Sequence, residues 1–162
     1  MVYRTLGRTG LQVSEIGMGC EGFVGKSCEE VLAFVDRMEA LGVNCVDLYT
    51  SNPEVRSNLG RALRGRRKKF VLQAHLCSVW KDGQYKRTRN IDEVRAGFMD
   101  QLERLERPEE TFDADVLLLY DDGTPAGAVL REAEDCRRSG QSVRVERQRP
   151  EGLSFRAVRK VG

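Results

Sequence analysis

Four places in this chain put a chemically able side chain at the end of an apolar segment. Gly19 and Cys20 close the first such run, Asp47 sits at the end of the second, and His75 with Cys77 ends the third. Tyr120, followed by Asp121 and Asp122, ends the fourth. A carboxylate, an imidazole and a phenol form an acid–base set: the first accepts hydrogen bonds, the second exchanges a proton near neutral pH, and the third donates one. Asp47 is the most telling of them, because a carboxylate beside an apolar strand end needs a partner. The spacing leaves two roles open for it, a part in that set or a cap on the turn at Ser51, Asn52 and Pro53. His75 is the chain's one histidine and is either an acid or a hydrogen-bonded residue at the end of an apolar strand. Tyr49 lies two residues past Asp47, on the same face of an extended segment.

The elements that must position these residues alternate. Residues 3–19 read as two short extended segments joined at a turn between Gly7 and Gly10, then a buried strand over 13–19. Ser27 caps a helix with apolar residues at Val31, Leu32, Phe34, Val35, Met38 and Leu41, and Gly42 ends it. Strands over 43–49 and 70–77 flank a short helix over 55–63. The second of these strands is almost unbroken in apolar character, as in sheets buried on both faces. A polar loop is read over 79–89, then an amphipathic helix over 91–105 stopped by Pro108. A fourth strand over 114–120 and a fourth helix over 126–138 follow, the helix ended by Gly140. From Gln141 the chain turns polar and Arg-rich, with a weak alternation at Val143 and Val145 that makes a poor fifth strand, and a last short helix is read over 153–161. Strand and helix alternating with short connections indicate right-handed βαβ units around a parallel sheet.

Composition narrows the class. The chain has 162 residues, 40% hydrophobic and 32% charged, with a formal net charge of +2. That reads as one globular domain, and the small charge gives no reason to expect nucleic acid as a partner. The basic run at 64–69 is read as a solvated loop between a helix and a strand. No apolar run nears the ~18 residues that cross a bilayer, so no membrane partner is expected. Met1 leads directly into the hairpin, and five scattered cysteines with no C-x-x-C pair fit reduced thiols, so a cytoplasmic location and no metal site are expected.

The string at 3–19, YRTLGRTGLQVSEIGMG, resembles the start of the aldo-keto reductases. The stretch LGVNCVD at 41–47 is similar to that family's approach to its catalytic aspartate, LGRALRGRR at 59–67 to the helix after it, and FVLQA at 70–74 to its third strand. The likeness runs from residue 2 to about 140. LYTSNP at 48–53 and QAHLC at 73–77 look most like an atypical branch with a C-terminal iron–sulfur segment, whose cysteine cluster this chain lacks. The resemblance implies an α/β fold, a partial (β/α)8 TIM barrel with an N-terminal β-hairpin plus about four βα units. Residues 1–140 would form the N-terminal half of the barrel and 141–162 an atypical Arg-rich C-terminal segment.

The function so implied is NAD(P)-dependent oxidoreductase chemistry, a hydride passing to a carbonyl carbon while a proton reaches its oxygen, in a truncated copy. By position Asp47 matches the family's aspartate, Asn52 stands where its tyrosine would be, His75 where its lysine would be, and Tyr120 where its histidine would be. Asp47 would then orient or polarise, His75 or Tyr120 would donate the proton, and Asn52 would hydrogen-bond the carbonyl. The cofactor implied is NADP(H), touched by Gly19, Cys20 and Asp47, with most of its binding elements belonging to the missing half. The partner would be a small-molecule carbonyl substrate. The alternative is a non-catalytic barrel fragment acting in self-association or partner binding, for which the open sheet edges of a half barrel are the reason.

Overall fold

The computed structural model describes residues 1–7, 9–105, 113–120, 142–149 and 152–153. It begins with an antiparallel hairpin of β1 (Tyr3–Thr5) and β2 (Gln12–Ser14). The turn between them holds Gly7 and Gly10 at φ of 49° and 76°, a left-handed backbone that glycine adopts without a Cβ clash. The hairpin is fastened to the chain just ahead of the second sheet strand. The Asn44 side chain accepts from the Ser14 N–H at 2.7 Å and donates to the Gln12 carbonyl at 2.9 Å, and the Tyr3 hydroxyl donates to the Gly42 carbonyl. These contacts lie at the amino ends of the strands, opposite the candidate chemistry.

The main sheet is parallel through β3 (Gly17–Gly19), β4 (Cys45–Leu48), β5 (Val71–His75), β8 (Asp113–Tyr120) and β9 (Ser142–Arg149). A short β10 (Gly152–Leu153) turns back antiparallel on β9, and β3 forms the opposite edge. The sheet is open among the described residues. Helices α1 (Cys28–Leu41), α2 (Pro53–Leu63) and α3 (Ile91–Arg104) supply the crossovers. Ser27 and Glu30 form a reciprocal capping box at the start of α1, and Gly42 closes it in the left-handed region at φ 74°. Val31, Val35 and Met38 of α1, Leu59 and Leu63 of α2, and Phe98 and Leu102 of α3 pack with Val46, Leu48, Leu72 and Ala74 in one core.

Three segments depart from the sequence reading. The buried strand read over 13–19 is split: Gln12–Ser14 pairs in the hairpin as β2, Ile16 is exposed, and only Gly17–Gly19 joins the main sheet, at its edge. Residues 79–89 are not a loop: β6 (Ser78–Lys81) and β7 (Gln84–Arg87) form a hairpin, with Trp80 opposite Tyr85. It turns at Asp82 and Gly83, both at positive φ, the Asp-Gly pair that a tight two-residue turn favours. The strands escaped notice because charge at Lys81, Lys86 and Arg87 hides their alternation. The poor strand after Gln141 does form, as β9, in parallel register along β8 with an irregularity between Ala114 and Leu117. Backbone pairing on an otherwise open edge does not require an apolar sequence. The helix read over 126–138, the Pro108 stop and the pair Asp121 and Asp122 lie outside the described residues. So does the helix read over 153–161, save Leu153, which pairs in β10.

The basic run holds two elements together. Arg66 pairs with Asp36 at 2.5 Å and Glu39 at 3.1 Å, and Lys69 pairs with Glu39. Glu39 sits in the last turn of α1, where helix carbonyls repel a carboxylate, so these cations offset an unfavourable end charge. Lys69 and then Arg66 hold the Glu39 carboxyl below its ordinary range. A depressed carboxyl contributes stability above the unfolded-state value of about 4.3 and loses it as pH falls through the lower folded value. Glu39→Gln is therefore expected to lower the urea midpoint at neutral pH and to lose less on acidification than the wild type.

Candidate active site

The carboxyl ends of β4 and β5 bring two of the sequence-read residues into contact. Along β4, Val46 and Leu48 are buried while Cys45 and Asp47 alternate to the other face. Asp47 pairs in register with Gln73, and His75 lies two residues further on the same face of β5. This diagonal sets the His75 Nε2 2.6 Å from Asp47 Oδ1, with the Gln73 amide 3.4 Å away. The Asp47 side chain is 39% exposed and that of His75 is 4% exposed, so the carboxylate faces outward and the imidazole backs it. An ionised carboxylate only accepts, which places the Nε2 proton between them. Asp47 thus pairs with His75, and the cap on the following turn comes from Asn52 instead.

Asn52 is the N-cap of α2. Its Oδ1 accepts from the N–H groups of Glu54 at 2.9 Å and Val55 at 3.2 Å. Pro53 occupies the first helical position, where a missing N–H is harmless. Asn52→Ala is expected to destabilise the chain by about 1 kcal/mol, the usual worth of such a cap, read as a lower urea midpoint. Asn52→Asp should keep most of that.

At the end of β3, Gly19 is extended and a Cβ there would meet nothing within 4 Å, so the backbone is open to close approach. Cys20 next to it is fully buried in the core. Burial first, and Asp47 second, push its thiol far above the ordinary range, which leaves it neutral. Tyr120 ends β8 two residues past Leu118, which pairs with His75, so its backbone reaches the same carboxyl edge.

The unforeseen β6–β7 hairpin adds an aromatic wall. Tyr49 meets the His75 ring edge-on, with centroids 5.3 Å apart and planes at 84°. Tyr85 stacks on Tyr49 at 5.3 Å with planes at 29°. Arg87 donates from Nε to the Tyr85 hydroxyl at 3.4 Å, and the two phenols, Tyr85 above all, raise its guanidinium pKa. Ser78 ties the hairpin back by donating to the Tyr49 carbonyl, and the Thr88 N–H bonds the Cys77 carbonyl. Cys77 adopts φ 65°, a costly backbone for a residue with a Cβ, at the bend that starts the hairpin. Asp82-Gly83 was the one sequence signal that could have revealed this wall.

Arg56 supports the site from behind. It is 2% exposed, and its guanidinium donates to the carbonyls of Thr50 and Gly97 and pairs with Asp100 at 3.0 Å. A groove of about 420 Å³ runs alongside, lined by Pro53, Arg56, Trp80, Gly97 and Asp100 among others, and neither Asp47 nor His75 lines it. No helix among the described residues is long and apolar enough to cross a membrane.

Searches against protein-family models and against characterised protein sequences find no match. Solved structures do match. A protein described as an aldo-keto reductase from Pseudomonas aeruginosa shares 23% identity at a TM-score of 0.73, over 91% of this chain and 60% of that one. The holo form of an aldo-keto reductase from Bacillus halodurans shares 24% at 0.74, over 93% and 51%. An aldo-keto reductase from Klebsiella pneumoniae in complex with NADPH shares 18% at 0.64, over 93% and 52%. This chain spans about half to three-fifths of the length of these structures. Hairpin, parallel strands and crossover helices together therefore give this chain the fold of the N-terminal half of an aldo-keto reductase barrel.

Proposed function

We propose that this chain contributes an NAD(P)-linked carbonyl-reducing site, with the Asp47–His75 pair as its acid–base couple. The observation that carries the reading is the 2.6 Å contact at the carboxyl ends of two adjacent parallel strands, where barrels of this kind gather their chemistry. NADP(H), when bound, would supply a hydride. The open backbone at Gly19, the Cys20 amide and the Asp47 carboxylate fit the approach of such a group, since a side chain at Gly19 would fill that space. The chain's own residues manage the proton. Asp47 accepts from Nε2 and fixes the ring, and the buried imidazole polarises the outer carboxylate and holds a proton within reach of the mouth. Tyr120 from the neighbouring strand is a second candidate for this task, by its place at the same edge. Asn52, engaged in capping α2, would reach a carbonyl only through its amide N–H2.

Titrating the purified chain into NADPH and following nicotinamide fluorescence tests this. A saturable change that Asp47→Ala weakens is expected. No change up to millimolar protein or cofactor would remove the cofactor from the account.

A further inference from the structure

The groove between α2, α3 and the β6–β7 hairpin combines unused cationic donors with an exposed indole, and it lies apart from the Asp47–His75 pair. Arg56 lines it with a side chain that is 2% exposed. Its Nε donates to the Thr50 carbonyl, and Nη1 uses both its hydrogens on the Gly97 carbonyl and the Asp100 carboxylate. Nη2 carries two more N–H donors and makes no hydrogen bond to any described residue. That nitrogen is not sealed in the core, so its donors are open to the groove that Arg56 lines. The charges there do not cancel. Asp100 is shared, its Oδ2 taking Arg56 and its Oδ1 taking Arg104 at 2.6 Å, so two guanidiniums rest on one carboxylate. Lys81 and Glu93 offset each other at 3.0 Å. Three cations against two carboxylates leave the lining with an excess of one positive charge. Burial lowers the Arg56 pKa although Asp100 opposes the shift, so this charge is under-compensated. The apolar share of the lining comes from Pro53, Val79, Ala96 and Trp80, the last 38% exposed.

We propose that this groove is a second binding site, which takes a small carboxylate carrying a flat apolar group, such as an aryl acid. A carboxylate brings two acceptor oxygens to the Nη2 donors and supplies the negative charge that the lining lacks. The flat group covers the Trp80 indole and the apolar residues beside it, which a bare inorganic anion leaves wet. The volume of about 420 Å³ lies in the range that small-molecule sites occupy. Trp80 and Tyr85 are cross-strand partners, so one hairpin furnishes this groove with its indole and the Asp47–His75 mouth with its aromatic wall. Binding here makes and breaks no covalent bond and needs no nicotinamide, so the site stands independently of the carbonyl-reducing reading.

Trp80 is the chain's one tryptophan, so its emission reports on the groove directly. Phenylacetate is titrated into the purified chain, with neutral phenylacetamide as a match in shape without the charge. A saturable change with phenylacetate is expected, and phenylacetamide should bind about 10-fold more weakly or worse, the worth of a hydrogen bond to a charged group. Two variants locate the site without disturbing the Arg56 contacts. Ala96→Phe places a ring in the groove from an exposed position of α3 and is expected to abolish the saturable change. Arg104→Gln removes the excess cation and is expected to weaken phenylacetate about threefold or more while leaving phenylacetamide unmoved. Absence of a saturable change at millimolar phenylacetate, equal binding of acid and amide, or wild-type binding in A96F each overturns the proposal. Unchanged phenylacetate binding in R104Q overturns the part assigned to the excess charge. None of these readouts requires NADPH or turnover, so failure of the carbonyl-reducing reading leaves them unaffected.

Discussion

Replacing Arg56 by alanine is expected to destabilise the chain by about 2–5 kcal/mol, from the carbonyls left without their donor and the cavity left behind. The guanidinium is 2% exposed and ties α2 to two neighbours: it donates to the Thr50 carbonyl after β4, and to the Gly97 carbonyl and the Asp100 carboxylate of α3. Burial lowers its pKa and Asp100 opposes that shift, so the charge survives by virtue of its partners. Alanine would leave two carbonyls without their donor and open a cavity the size of the lost side chain. Asp100 would keep Arg104, which donates to it at 2.6 Å. Arg56→Met refills the volume and removes only the polar contacts, so its loss should be smaller, about 1–3 kcal/mol. Urea unfolding of both variants measures this, and equal midpoints for R56A and the wild type would contradict the account. Because Thr50 follows Tyr49, R56A should also loosen the aromatic stack, visible in near-ultraviolet circular dichroism.

Gly60→Ala is the second large effect. Alanine improves helix propensity by about 1 kcal/mol in an exposed helix interior. Here a Cβ would stand 2.5 Å from the Arg104 carbonyl oxygen and 2.8 Å from the Leu105 Cα. Both are backbone atoms at the end of α3, so no rotamer change relieves the clash and the two helices must separate. The net expectation is a loss of about 1–3 kcal/mol, the usual cost of overpacking. Gly97→Ala is the control: its nearest neighbour would be a Val79 methyl at 3.0 Å, a side chain that can turn. A thermal melt in which G60A equals or exceeds the wild type would show that α2 and α3 do not meet backbone to backbone.

Local signals carried much of the fold. The Ser27 cap, the Gly42 stop and the unbroken strand before His75 each act within a few residues and appear as read. The apolar stripe of α1 does so in part: Val31, Val35 and Met38 are buried, while Leu32, Phe34 and Leu41 are exposed. Asp47 and His75 were legible as strand-end residues, because a polar group interrupting an apolar run is visible without structure. Their contact was not, since it depends on the register of β4 against β5, 28 residues apart in sequence. Arg56 gave no signal at all. Its partners Gly97 and Asp100 lie 41 and 44 residues away, and a lone arginine in a helix reads as solvent-exposed. Tyr85 and Arg87 were hidden by the polar strands that carry them. The Asp47–His75 contact and the Arg56 ties are long-range pairings, which neither periodicity nor capping encodes, whereas the β6–β7 hairpin is local and its charged residues hide the alternation.

The account stands on the Asp47–His75 pair acting at a carbonyl, and the most direct measurement is NADPH oxidation with a panel of aldehydes and ketones. Wild-type chain and His75→Ala are compared, with folding of the variant checked by circular dichroism. Reduction by the wild type that falls by about 10²–10⁴-fold in H75A is the expected result. Equal rates in the two proteins would contradict the assignment of this pair as the acid–base couple.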